Sequence, residues 1–192
     1  DCFGLRLLNR RGCFPKFDKF IEQTKDVWTH LVDIRKSFEP RAEELAKKYA
    51  LAPYTMFIGS GALWGETILF SMCILEEMQW KRTRYITSAD FFHGTLELVE
   101  PGVPVFLFMG EDENRKLDER VRAFLNRGVT GDTDINIIDT AEFAIPGLDD
   151  EFRVIVSPWI LTVLVTDRLA RYYETVTKHN LKYRRYYHQF DY

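Results

Sequence analysis

A glutamate and a histidine are the side chains of this sequence best suited to acid–base chemistry. Glu77 is predicted to end a helix that is apolar nearly all round, and it shares one helix face with Phe70, Cys73 and Ile74. Burial and the negative helix end both favour the neutral acid, which suits a general base. His93 follows a predicted strand at the start of a helix, which favours a neutral imidazole. The same pattern would also fit a solvated carboxylate and a histidine that binds only nearby backbone.

A glycine-rich turn is the candidate anion site. Gly59, Ser60 and Gly61 lie between a predicted strand and a predicted helix, where backbone N–H groups and the helix dipole favour negative charge. The turn lacks the lysine of a phosphate-binding P-loop, and Gly65 falls at the wrong spacing for a dinucleotide fingerprint. The alternative is a tight turn with no ligand.

Strands that alternate with helices predict the fold that positions these residues. Short apolar runs predict five strands, and these cover 54–58, 84–87, 103–109, 135–138 and 152–156. Helices are predicted at 17–34, 40–50, 63–79, 93–99, 113–126 and 158–178. We therefore expect an α/β fold, a three-layer, doubly wound, five-stranded parallel sheet. In such a fold, ligands bind beyond the carboxyl ends of the strands.

The amino-acid composition excludes several classes of protein. The 192 residues are 46% hydrophobic and 29% charged, with a net charge of −3, which predicts a globular domain without a basic surface for nucleic acid. Cys2, Cys13 and Cys73 have no regular spacing, which argues against a disulfide framework and a zinc site and favours a reducing, cytoplasmic compartment. No apolar run reaches the roughly 20 residues of a membrane span.

The spacing of these residues resembles that of a known family. Glu77 and His93 are 93 − 77 = 16 residues apart, and His93 opens the phrase His-Gly-Thr-Leu-Glu. Together with the glycine turn, the segment 96–104 and the Arg-Arg-Tyr-Tyr tail at 184–187, they resemble the sugar isomerase (SIS) family. The fructosamine deglycases are the more similar group. The isomerase half of glucosamine-6-phosphate synthase is more distant.

The resemblance implies a domain organisation and partners. Family members carry two SIS domains in tandem, so residues 1–50 are expected to be a helical connection from an N-terminal SIS domain outside this sequence. Residues 51–178 would then be the C-terminal SIS domain, and 179–192 a tail that closes over the site. The active site of the family lies where domains and subunits meet. We therefore expect a homo-oligomer, a histidine lent by the neighbouring subunit, and no activity from this domain alone.

The resemblance also implies a reaction. Glu77 would be the base and His93 the acid/base that opens the sugar ring, with Gly59, Ser60, Gly61 and His188 as substrate-binding residues. The substrate would be a 6-phosphorylated ketosamine, which is split into glucose 6-phosphate and an amine without metal or organic cofactor. The alternatives are an aldose–ketose or ketosamine isomerase, a non-catalytic module that senses sugar phosphate, and a structural half-domain.

Overall fold

A parallel sheet forms the centre of the molecule. The computed structural model describes residues 2–128, 131 and 133–191. The four strands lie in the order β2-β1-β3-β4, and each neighbouring pair is parallel. Their bounds are β1 Tyr54–Gly59, β2 Arg82–Ile86, β3 Val105–Met109 and β4 Ile135–Asp139. The sheet with flanking helices confirms the predicted α/β class.

Helices precede the sheet and cover both of its faces. Their bounds are α1 Cys2–Arg10, α2 Phe17–Gln23, α3 Val27–Tyr49, α4 Trp64–Ile68, α5 Ser88–Phe91, α6 Arg115–Leu125, α7 Asp150–Leu161 and α8 Ala170–Thr177. A π-helical segment, Leu69–Glu76, continues α4, and a second one, Thr162–Leu169, joins α7 to α8. Short 3-10 turns cover Gly61–Leu63, Thr95–Leu98 and Thr140–Glu142. Within the described ranges, no helix has the length and apolar character needed to cross a membrane.

Alternation along the central strands divides the core into two layers. On β1, Phe57 packs with α3, α7, α8 and the π segments, whereas Met56 and Ile58 pack with α5 and α6. All of these side chains are fully buried. Phe57 stacks on Phe106 with ring centroids 5.2 Å apart and meets Phe70 edge to face at 5.5 Å. Burial on both faces explains why β3 is apolar at every position.

The predicted fifth strand is wrong. Residues 152–156 lie inside α7, which begins after Asp149, and the sheet therefore has four strands among the described residues. A short apolar run fits a buried strand and a buried helix equally well. The signal that distinguishes them is the acidic segment before the run, since Asp150 and Glu151 occupy the first turn of the helix and complement its dipole.

Three predicted helix boundaries also differ from the structure. The single helix expected over 17–34 is interrupted at Thr24, whose Oγ1 donates to the carbonyl of Phe20, 2.7 Å away. Pro40 does not begin a helix; it lies inside α3, which continues because Phe38 and Ala42 are buried on either side of it. His93 lies in a turn between two short helices, because Gly94 has a φ of +125° that ends helical geometry.

Candidate functional site

Glu77 lies at the end of the π segment, beside a cavity of about 400 Å³. Its N–H donates to the carbonyl of Met72, five residues earlier, at 2.9 Å. This wider turn rotates Glu77 relative to its place in a regular α-helix, and such insertions are frequent at functional sites. We call the cavity the tail cavity. The side chains that line it come from the helix end and the C-terminal tail, and they are Glu76, Glu77, Trp80, Lys81, Arg184, Arg185, Tyr186 and Tyr187.

An ion pair joins Glu77 to the tail. Nε of Arg184 lies 2.8 Å from Oε1 of Glu77, and the two side chains are 18% and 35% exposed respectively. The guanidinium is held in turn, since its Nη1 donates to the backbone carbonyls of Leu181 at 2.9 Å and Tyr183 at 2.8 Å. Glu77 is therefore half-buried and paired with a cation, rather than in the apolar surroundings expected from its helix face. Fixed at one oxygen, the carboxylate has a defined orientation toward the cavity.

Aromatic contacts hold the tail against the helix end. The ring of His179 meets Trp80 edge to face at 4.4 Å and Tyr183 at 5.2 Å. The buried Gln79 donates to the carbonyl of His179 and accepts from Thr177 Oγ1 at 2.7 Å. These contacts hold the start of the tail against the helix end, and they thereby position Arg184 for its ion pair with Glu77.

Trp80 adopts a backbone conformation that is unusual for a bulky residue. Its φ of +53° places it in the left-handed region, and the N–H of Lys81 donates to the carbonyl of Leu75 at 2.9 Å. The bond spans six residues and closes the end of the helix after the π segment, and the left-handed position at a helix end is usually glycine. A tryptophan there costs roughly 1–3 kcal/mol of backbone strain, a cost that tends to concentrate at functional sites.

The topology separates His93 from Glu77 within one chain. Glu76, next to Glu77, accepts from Thr83 Oγ1 at 2.6 Å, which places this helix end at the amino end of β2. His93 follows the carboxyl end of the same strand and is exposed. The five residues of β2 alone span about 13 Å at roughly 3.3 Å per residue. The two predicted catalytic residues therefore lie at opposite ends of β2, and His93 is not among the side chains that line the tail cavity.

The glycine turn already binds a carboxylate of the chain itself. The N–H of Ala62 donates to Oδ2 of Asp112, and the N–H of Asn114 donates to Oδ1 at 2.7 Å. Gly61, Ala62 and Asp112 line a cavity of about 630 Å³, whose other members include the carboxylates of Glu111 and Glu113. A phosphate at this turn would meet these like charges, so the geometry favours the alternative of a tight turn without a ligand.

The side chain of Ser60 joins the segments that follow β1 and β2 through a hydrogen bond. It is buried, and its Oγ accepts from the N–H of Ser88 at 2.7 Å. The hydroxyl of Ser88 donates to Asp118, which also accepts from the N–H of Gly110 at 3.3 Å. Burial raises the pKa of Asp118 to about 6. These contacts occupy the side chain that the sequence suggested for substrate.

The contact with Asp112 predicts opposite effects of alanine at two glycines. Gly61 has a φ of +55°, and a Cβ there would overlap the Asp112 carboxylate, whereas Gly65 lies in α4 with open space around it. We expect Gly61→Ala to lower the free energy of unfolding by about 1–3 kcal/mol. We expect Gly65→Ala to raise it by about 0.5–1 kcal/mol, because alanine has the better helix propensity. Urea unfolding of both variants measures this, and equal stability at Gly61→Ala would contradict the Asp112 contact.

The remaining predicted residue, His188, lies in the exposed tail. It is next to Tyr187, with ring centroids 4.2 Å apart, and its φ is +54°. It is not among the side chains that line the tail cavity. No group of three or more His, Cys, Asp or Glu side chains that could hold a metal ion occurs in the described part of the chain.

Sequence reasoning assigned no role to four side chains that line the tail cavity: Trp80, Lys81, Arg184 and Arg185. The two arginines lie in the Arg-Arg-Tyr-Tyr segment, which the resemblance implies to be part of a tail over the site. The available signal for Trp80 and Lys81 was their position just past the helix that ends with Glu77. Their approach to the tail depends on a contact between segments about 100 residues apart in the chain, as in the hydrogen bond of Gln79 to His179.

Relatives with similar sequences were found, although no protein-family model matches the chain. Fructosamine deglycase of Bacillus subtilis is 28% identical over 174 residues, which are 89% of this chain and 51% of the relative. Fructoselysine 6-phosphate deglycase of Escherichia coli is 29% identical over 175 residues, 90% of this chain and 47% of the relative. The chain thus spans about half the length of the curated relatives it matches.

Solved structures with a similar fold include proteins described as phosphosugar isomerases. A Salmonella typhimurium protein described as a phosphosugar isomerase is 26% identical with a TM-score of 0.88, and the match covers 98% of this chain and 57% of the other. A Bacillus subtilis protein with the same description is 27% identical with a TM-score of 0.84, covering 92% and 53%. The C-terminal domain of a Francisella tularensis glucosamine-fructose-6-phosphate aminotransferase, at 13% identity and a TM-score of 0.67, shares the fold alone; that match covers 93% and 51%.

Proposed function

Because the chain has the SIS fold of the phosphosugar isomerases and is a sequence relative of the fructosamine deglycases, we propose that it is part of an enzyme that processes sugar phosphates. The specific reaction we propose is the cleavage of a 6-phosphorylated fructosamine to glucose 6-phosphate and an amine. The observation that carries this proposal is the carboxylate of Glu77, which Arg184 orients beside a cavity partly formed by the tail.

Glu77 would act as the proton shuttle between two carbons of the open-chain substrate. It would take a proton from C1 to give an enolamine, and return it to C2 to give an imine at C1. Water then adds to C1 and the amine leaves, so one ketosamine phosphate and one water give one glucose 6-phosphate and one amine. The half-buried position of Glu77 suits this role, since the enolamine needs shelter from bulk water.

His93 would open the sugar ring from the neighbouring subunit. The positions of the two residues at opposite ends of β2 support a shared site that combines Glu77 of one chain with His93 of another. The exposure of His93 supports this, because a side chain that serves a neighbouring subunit must be at the surface of its own chain. We therefore propose a homo-oligomer, with the other half of the polypeptide contributing the rest of the site.

The products of the full-length polypeptide test this function. We expect a 6-phosphorylated fructosamine of lysine to yield equal amounts of glucose 6-phosphate and free lysine, measured by mass spectrometry and a coupled assay for glucose 6-phosphate. An isomerase would instead yield a rearranged sugar phosphate that retains the nitrogen. Binding without turnover would indicate a sensing module. Either of these results would refute the deglycase reaction.

A further inference from the structure

The tail cavity has more cationic than anionic side chains, and only one of the cations is in an ion pair. Arg184 pairs with Glu77, and Glu76 accepts a hydrogen bond from the hydroxyl of Thr83. The other two cations, Lys81 and Arg185, have no ion pair with any carboxylate within the described ranges. The walls therefore carry three cations and two carboxylates, although the chain as a whole has a net charge of −3.

Lys81 is a cation whose burial is uncompensated. Its side chain is half-buried just after Trp80, and burial lowers the pKa of its ammonium group. Removing an ammonium from water costs free energy that an opposite charge can repay. An anion in the cavity would supply that charge.

Arg185 is held by a contact that leaves its hydrogen-bond donors available. Its guanidinium lies over the ring of Trp80, with the central carbon 4.3 Å from the ring centroid. A cation–π contact uses the face of the guanidinium, and its planar fork of N–H groups remains free to bind an anion at two oxygens. The strained backbone of Trp80 presents the ring at this place.

We propose that Lys81 and Arg185 form an anion subsite beside Glu77 that binds an oxyanion group of the substrate. This inference rests on the proposed function, because it assumes that the substrate occupies the tail cavity. Two groups of a 6-phosphorylated fructosamine have this chemistry, a carboxylate on the leaving amine and the sugar phosphate. Lys81 would provide a point charge, and Arg185 a bidentate contact fixed by Trp80.

The test compares two probes on the full-length polypeptide. One is the 6-phosphorylated fructosamine of lysine linked through its ε-nitrogen, and the other is that of 1,5-diaminopentane, which lacks the carboxylate. The variant is Lys81→Met with Arg185→Gln. The matched control is Lys116→Met with Arg120→Gln on α6, where Lys116 is exposed and Arg120 lies over the ring of Phe92 at 4.1 Å. Calorimetry measures binding, and amine release measures turnover.

Each outcome has a definite meaning. A loss of affinity of roughly 10- to 100-fold for the lysine probe alone assigns the subsite to the carboxylate, and an equal loss for both probes assigns it to the phosphate. A double variant that binds both probes as tightly as the native protein overturns the subsite, as does a native protein that binds neither probe. If the native protein binds the probes in a manner that depends on Lys81 and Arg185 but releases no amine, the subsite stands and the deglycase reaction fails.

Discussion

Replacing Glu77 by glutamine in the full-length polypeptide is expected to lower kcat for amine release by roughly a hundred- to ten-thousandfold, the usual contribution of a positioned general base. Glutamine keeps the size and hydrogen-bonding oxygen of the side chain but cannot accept the proton from C1. The KM for the fructosamine phosphate should change much less, because the cavity walls remain. Steady-state kinetics with the lysine-derived substrate separate the two parameters.

Two controls make this result specific. Glu22→Gln removes the same charge from an exposed carboxylate that pairs with Lys25 on the surface, and its kcat should equal that of the native protein. Thermal unfolding of Glu77→Gln should show a folded protein, since the pair that it loses with Arg184 is partly exposed. A folded Glu77→Gln variant with native kcat would remove Glu77 from the mechanism.

Local patterns predicted the layers of the fold, because hydrophobicity along a strand reports directly on burial. Residues 103–109 are apolar throughout, and β3 is buried on both faces as this pattern indicates. The same property led to the wrong prediction of a strand at 152–156. This apolar run lies inside a helix that is covered on both faces. Hydrophobicity indicates that a segment is buried but does not distinguish a strand from a helix. The acidic residues before the run indicate a helix, because they stabilise the positive end of its dipole.

The candidate site was less predictable, because its parts come from distant segments. Glu77 was found from its place at the end of an apolar helix, and this part of the reasoning needed only local sequence. The partner Arg184 is more than 100 residues away, and no periodicity links them. The rule that ligands bind beyond the carboxyl ends of strands selected Gly61, where Asp112 supplies the anion from within the chain. That rule missed Glu77, which lies at the opposite end of β2.

Mixing two inactive variants is expected to restore activity if the catalytic residues come from different subunits. Glu77→Gln and His93→Asn should each be nearly inactive as a pure homo-oligomer of the full-length polypeptide. In a dimer that contains one chain of each, one site combines the two substitutions and the other combines native Glu77 with native His93. Random mixing should therefore give about a quarter of the native activity, since half of the dimers are mixed and each has one intact site.

The positions of the two residues about β2 are the basis of this prediction. Glu77 lies at the amino end of the strand and His93 beyond its carboxyl end, which favours a site that takes the two side chains from different chains. Co-expression of differently tagged chains and tandem purification isolate the mixed dimers, in which half of the native activity per dimer is expected. If the site lay within one chain, every site in a mixed dimer would carry one substitution. Mixed dimers as inactive as the parent variants would therefore refute a site shared between subunits.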